Sequence, residues 1–222
     1  MQRILEPEVM DSLEEAIEYD AMNFTEVNTN FAQRATSLAP EVAQVLDVGT
    51  GTARIPILIA QQRQKWQITG IDLARSMLDI GKKNIKEANL EQQIDLEVVD
   101  AKQMPYTDAQ FDLVLSNSLL HHLPNPLPFL RELNRVLKPN GGMLLRDLLR
   151  PASAEIINHI IEEIGEDYSL HQKQLFRDSL FAAFTLEEVK ELLQAAGIKG
   201  VKLYQSSERH WTAERVYQQI NY

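Results

Sequence analysis

The run Val45-Leu46-Asp47-Val48-Gly49-Thr50-Gly51-Thr52-Ala53-Arg54 constrains this chain more than any other stretch. A strand-like apolar segment enters a turn with two glycines and leaves it as a helix. Glycines adopt backbone angles that other residues avoid, and they let a ligand come close to the main chain. A helix that starts after such a turn presents N–H groups with no partner inside the helix. Doubly wound sheets bind ligands at the carboxyl ends of their strands, where this turn would sit. The next strand-like segment ends Gly70-Ile71-Asp72, so an acid follows Gly51 by 21 residues (72 − 51). A carboxylate there can accept hydrogen bonds from both hydroxyls of a ribose. Strand, turn, helix, strand and acid in this order predict a nucleoside site; a lone Gly-x-Gly would predict only a tight turn.

The rest of the chain fits such a sheet. Strand patterns at residues 42–48, 67–71, 94–99, 111–116 and 142–148 alternate with helical ones at 52–62, 76–88 and 127–137. Alternation of this kind argues for a parallel sheet with helices on both faces. Two more strands are predicted, at 198–204 and 209–218, after a helix that Thr185 caps with Glu187-Glu188 behind it. The expected fold is therefore α/β, a doubly wound, mostly parallel sheet of seven strands. Residues 1–40 are expected to form two cap helices. Leu13, Ala16, Ile17 and Ala21 share one helical face, and Val27, Phe31, Ala35 and Leu38 another, with Pro40 ending the second helix. Residues 41–222 would form the main domain, with a helical insertion at about 152–184 and no composition break.

Composition limits the partners. The chain has 222 residues and a formal net charge of −10, which disfavours general binding to a phosphate backbone. It has no cysteine, which removes disulfides, thiolate nucleophiles and Cys-ligated zinc. The first twenty residues carry five Glu and two Asp with no apolar run, unlike a secretory signal. No segment approaches the roughly 20 apolar residues of a membrane span. The expected location is cytoplasmic.

Two residues bear on the identity of the nucleoside. The dinucleotide fingerprint places a third glycine three positions after the second; here that position is Arg54. A bulky cation there would crowd the close packing that the glycine permits. Asp47, two residues before the first glycine, is also unexplained by a nicotinamide dinucleotide. A carboxylate there could brace the turn or face a cationic ligand.

At this point the sequence resembles the class I S-adenosylmethionine-dependent methyltransferases, of the small-molecule and ubiquinone-biosynthesis-like type. The resemblance rests on the run from Val45 to Ile57, on Gly70-Ile71-Asp72-Leu73-Ala74-Arg75-Ser76-Met77-Leu78, and on Asp100-Ala101 with Met104-Pro105-Tyr106. It extends through Phe111-Asp112-Leu113-Val114, Leu119-Leu120-His121-His122-Leu123 and Leu137-Lys138-Pro139-Asn140-Gly141-Gly142. Ala53 departs from the family, many of whose members have a third glycine there. The resemblance implies S-adenosylmethionine as cofactor and S-adenosylhomocysteine as its product. It implies that Gly49, Thr50 and Gly51 line the amino-acid end of the cofactor and that Asp72 holds the ribose. Leu73 and Met77 would flank the adenine, Asp100 would accept from its amino group beside Ala101, and Asn117 would face the methionine part. Tyr19 on an N-terminal helix would lie near the sulfonium.

The acceptor side is less marked. His122 could serve as a base for a nucleophile that needs one. Side chains of neighbours on an extended segment point apart, so His121 and His122 are not expected to chelate together, and no metal site is expected. Arg146, Asp147 and Arg150 crowd the end of a strand at the cofactor edge of the sheet. The two arginines could bind an acceptor's carboxylate or phosphate, or pair internally with Asp147. The expected activity is methyl transfer to a small molecule, anionic if these arginines face it. Ser116-Asn117-Ser118-Leu119 lacks the element of DNA and glutamine amino-methylases. A nicotinamide-dependent dehydrogenase and a catalytically silent cofactor-binding partner subunit are the competing expectations.

Overall fold

The computed structural model describes residues 1–6, 11–164 and 168–219. Strands β1 (Ala43–Val48), β2 (Trp66–Asp72), β3 (Ile94–Val98), β4 (Phe111–Asn117), β5 (Leu137–Leu148), β6 (Lys202–Ser207) and β7 (His210–Arg215) form one sheet. Its order is β3-β2-β1-β4-β5-β7-β6. The first five strands run parallel, and β7 is antiparallel to both β5 and β6. The order reverses between β1 and β4. A crevice opens at the carboxyl ends of strands on either side of such a switch, and ligands of open α/β sheets bind in it.

Helices α3 (Arg54–Gln62), α4 (Arg75–Glu87), α5 (Leu127–Val136) and α8 (Leu186–Ala195) cover the sheet, together with α2 (Thr25–Thr36). Side chains alternate between the faces of a strand. Val45, Leu113 and Leu115 therefore pack with Phe31, Ile59 and Leu78 on one side. Leu46, Val48 and Val114 pack with Leu130, Leu133 and Leu193 on the other. Burial on both faces is why the central strands read as mostly apolar runs without strict alternation. The expected capping box opens α8: Thr185 N–H donates to Glu188 Oε2 at 2.8 Å, and Glu188 N–H donates to Thr185 Oγ1 at 3.3 Å.

Three elements lie over the strand ends instead. Helix α1 (Leu13–Ala21) buries Ala16 against Ala74, Met77 and Ile80. Helices α6 (Ala154–Glu163) and α7 (Leu170–Ala182) supply the insertion and share a small core, Leu148, Ile157, Leu180 and Ala183. Residues 1–6 strap across this end. Ile4 N–H donates to Phe181 O at 3.1 Å. Arg3 donates to Ala182 O (2.6 Å), His121 O (2.8 Å) and Leu123 O (2.9 Å), with its guanidinium 3.9 Å from the Phe184 ring centroid.

Several boundaries differ from expectation. Strand β5 begins at Leu137, not at 142, because Phe111 pairs with Leu137 and Leu113 with Gly142. Five steps on β5 thus match two on β4, and the Lys138–Gly141 turn bulges out within the strand. Helix α3 starts at Arg54 because Ala53 takes a left-handed conformation (φ 62°). Helix α2 ends at Thr36, ahead of Pro40. The last hairpin is shorter than predicted, at Lys202–Ser207 and His210–Arg215. Among the described residues no helix is long and apolar enough to cross a membrane.

Candidate active site

The glycine turn sits at the switch point. Gly49 and Gly51 both have positive φ, 75° and 54°. The N–H groups of Gly49 and Thr50 donate to Ile71 O at 2.9 and 3.0 Å, which ties the turn to the end of β2. A Cβ at Gly51 would meet nothing nearer than the Tyr19 ring at 3.8 Å, so the turn keeps open space on that side. Asp72 accepts from Gly51 N–H through Oδ2 and from Ala74 N–H through Oδ1, both at 2.9 Å. Each oxygen keeps a lone pair for another donor. Asp47 is 2% exposed and accepts from Thr50 Oγ1 at 2.7 Å, so it braces the turn from beneath.

These carboxylates share one region. Burial pushes Asp47 up to about 7; Thr50 pulls it down and Asp72 adds to the rise. Burial also raises Asp72, against the N–H groups of Ala74, Gly51 and Leu73. The Tyr19 hydroxyl is pushed up to about 12 by burial, then by Asp72, Asp47 and Asp20. Arg54 does not neutralise the turn. It reaches to α1 and donates to both oxygens of Asp20, at 2.9 and 2.6 Å. Asn84 donates to Asp20 Oδ1 and to Thr52 O, closing a clasp between α1, α3 and α4. Tyr19 is thereby held over the turn within a field of negative charge.

The far wall of the cleft follows β4 and β5. Leu119 packs beside Gly49, where an added Cβ would lie 3.1 Å from it. A single 3-10 turn, Leu120–His122, comes next. His121 is buried and faces Asp147, with Nδ1 to Oδ1 at 2.5 Å and its own N–H donating to Asp147 Oδ2 at 3.1 Å. Burial pulls the His121 pKa down, but Asp147 and Glu6 more than restore it, so the net shift is upward. Asp147 shifts the other way: burial raises it, and His121 brings it below the ordinary range. Glu6, from the N-terminal strap, lies 3.0 Å from His122 Nδ1 and 3.4 Å from His121 Nε2.

The methyltransferase domain family matches residues 41–205. The chain belongs to that family. It is 35% identical over 167 residues to the demethylmenaquinone methyltransferase of Lactobacillus johnsonii, covering 70% of this chain and 68% of that protein. It is 26% identical over 185 residues to the 27-O-demethylrifamycin SV methyltransferase of Amycolatopsis mediterranei, covering 81% of this chain and 63% of the relative. A solved structure of a SAM-dependent methyltransferase from Aquifex aeolicus superposes with a TM-score of 0.67 at 17% identity, over 93% of this chain and 99% of that one. At that identity the likeness speaks for the fold alone. The chain is an S-adenosylmethionine-dependent methyltransferase of the small-molecule kind, and the dehydrogenase expectation falls away.

Within this methyltransferase, most residues expected at the cofactor gather at the strand ends. Leu73 is 41% exposed beside Asp72. Met77 is buried under α1 with Ala16. Asp100 lies two residues past β3, its Oδ1 taking Lys102 N–H at 2.8 Å, with Ala101 packed on the core beside it. Asn117 turns its Oδ1 toward Arg146 Nε at 2.8 Å.

Two expectations need correction. Arg150 is not at the cleft mouth. It is 8% exposed and donates to Glu188 Oε1 (2.6 Å) and Ala183 O (3.0 Å), so it fastens the insertion to α8. Nor are the two histidines splayed on an extended segment: the 3-10 turn brings their rings to 4.1 Å, and Glu6 joins them. Arg146 is half-buried at the end of β5, against α2. It donates to Val27 O at 3.2 Å and lies 4.9 Å from the Phe31 ring centroid, and burial lowers its pKa to about 10. Sequence reasoning missed Glu6, Asn84 and the Arg54–Asp20 clasp. Only Arg54, an unexpected cation at a glycine position, offered a local signal.

Proposed function

We propose that this protein transfers the methyl group of S-adenosylmethionine to a small molecule held between the ends of β4 and β5 and the N-terminal cap, in the cytoplasm. Asp47 and Asp72 beneath Tyr19, with Arg54 drawn away onto Asp20, carry this reading. The cofactor brings an ammonium and a sulfonium, and such a field favours both. In this reading Asp72 holds the ribose hydroxyls with its spare lone pairs, and Asp100 and Ala101 take the adenine edge. Leu73 and Met77 bound the ring, and Gly49, Thr50 and Gly51 admit the amino-acid end to the backbone. Asn117 borders the methionine part. Tyr19 lies near the sulfonium, where an aromatic face stabilises positive charge. Residues 1–40 serve as the cap and about 152–184 as an insertion that shapes the acceptor pocket.

The cofactor supplies an activated methyl, so the protein's task is alignment of nucleophile, carbon and sulfur. His122, the more exposed of the two imidazoles, takes the proton of a nucleophile that must lose one. Asp147 positions His121. Arg146 faces an anionic group on the acceptor.

Thermal stability with added ligand tests the reading, since a ligand that binds only the folded state raises it. S-adenosylhomocysteine should stabilise the protein and NAD should not; the reverse would sink the proposal. Labelled cofactor incubated with a small-molecule extract then separates an enzyme, which labels an acceptor, from a silent binding subunit, which labels none.

A further inference from the structure

We propose that Glu6, His121 and His122 form a binding site for one divalent cation of the zinc class, with Asp147 as the outer partner of His121. The three ligand atoms lie within 4.8 Å of one another. Two of their separations, 3.0 and 3.4 Å, approximate the spacing of about 3.3 Å between tetrahedral zinc ligands at their usual bond lengths. Two imidazoles and one carboxylate are a zinc ligand set with a fourth position left for another ligand.

The polar atoms of this cluster meet chiefly one another. Glu6 Oε1 and His122 Nδ1 are both buried and 3.0 Å apart; against burial, the histidines hold the Glu6 carboxyl below its ordinary range, and neither atom has a further hydrogen-bond partner. The carboxylate's other oxygen is already used, since Ser179 Oγ donates to Oε2 at 3.0 Å. On His121 the Nδ1 edge is taken by Asp147. A carboxylate on one ring nitrogen fixes that nitrogen as the donor and leaves a lone pair on the other. His121 Nε2 thus turns toward Glu6 Oε1 at 3.4 Å, where either a proton on Nε2 or a cation between the two answers the carboxylate, in a site from which water is largely excluded. The proposed cation is the second of these. The rings of His121 and His122 stand 4.1 Å apart, an arrangement that disfavours protonating both as the alternative.

The surrounding structure holds the ligands in place. Arg3 clamps the main chain of His121 and Leu123, which fixes the strap that presents Glu6 to the 3-10 turn. Asp147 supplies the carboxylate–histidine arrangement that orients metal-bound imidazoles. Coordination would occupy the His122 lone pair, so His122 acts as a base only where the ion is absent. The cation site rests on its own ligand geometry and stands or falls separately from cofactor binding.

The test is calorimetric titration of chelator-treated full-length protein with zinc chloride. The starting variant is His159→Ala/His171→Ala, which removes two exposed histidine–glutamate pairs that could bind zinc at the surface. One equivalent should bind. Glu6→Gln and His122→Ala should each weaken binding at least tenfold, and Asp147→Asn by about 10- to 100-fold. Cobalt(II) at the same stoichiometry should show the intense visible bands of a tetrahedral site. Each variant is titrated with S-adenosylhomocysteine as well; retained binding shows that it is folded and that the methyl-transfer reading is intact. No stoichiometric zinc, or zinc bound equally well by folded Glu6→Gln and His122→Ala, would overturn the proposal.

Discussion

At the ends of β1 and β2 the cleft is walled by backbone and carboxylates that lie close together in the chain. Past β4 and β5 it is walled by side chains drawn from four distant segments: Glu6, the His121–His122 turn, the Arg146–Asp147 strand end and α2. The first wall is acidic and braced internally, with Thr50 on Asp47 and Gly51 on Asp72. The second is held by pairs across the fold, such as His121 with Asp147 and Glu6 with His122. In the proposed reading the first wall meets the cofactor and the second the acceptor, and only folding brings the second wall's side chains together.

Substitutions should therefore separate the two walls. The largest effect is expected on the acceptor side. Asp147→Ala leaves His121 buried without its partner and should cost about 3 kcal/mol of stability, measured by urea unfolding. A loss below about 1 kcal/mol would show that the pair contributes little. On the cofactor side, Asp72→Ala should weaken S-adenosylhomocysteine binding by about 2 to 3 kcal/mol, or about 30- to 150-fold in Kd, while Arg146→Ala leaves it nearly unchanged. Equal losses by calorimetry would mean that the cofactor lies nearer β5.

The pH dependence of the acidic wall is the next largest contrast. The native pKa of Asp47 is about 7, above its ordinary value, so between about pH 4 and 7 the native state keeps a proton that the unfolded chain has released. Its contribution to stability should fall as pH rises through that window, with Asp72 and Tyr19 the groups facing it. Melting temperatures of the wild type and Asp47→Asn, compared across pH 4–8, should diverge accordingly; a constant difference would show Asp47 ionised throughout. Conversely, S-adenosylmethionine should bind more tightly as pH rises past 7 in the wild type only. The smallest effect is expected at Ala53→Gly. Relief of a left-handed alanine, about 1 to 2 kcal/mol, is offset by a lost buried methyl, about 0.8 kcal/mol, and by the greater freedom of glycine in the unfolded chain. The net change in unfolding free energy should stay within about 1 kcal/mol.

The sheet and the glycine turn tied to Asp72 were legible because their signals are local. Apolar runs mark strands buried on both faces, and the spacing from Gly51 to Asp72 is one βαβ step. Arg150 misled because a charge at a strand end has two outlets, the cleft or a neighbouring helix. Glu188, whose other oxygen already caps α8, took it inward. His121 and His122 misled because a 3-10 turn and an extended segment look alike over three residues.

The sequence alone determined the doubly wound sheet and the glycine turn with its acid, and hence a nucleoside ligand, since these depend on periodicity and short-range order; resemblance to a family then narrowed that ligand to S-adenosylmethionine. Tertiary structure alone decided that Glu6 meets two histidines more than a hundred positions away and that Asp20 takes Arg54. Such pairings depend on how the cap and strap close over the strand ends, and no residue's neighbours in the chain record that closure.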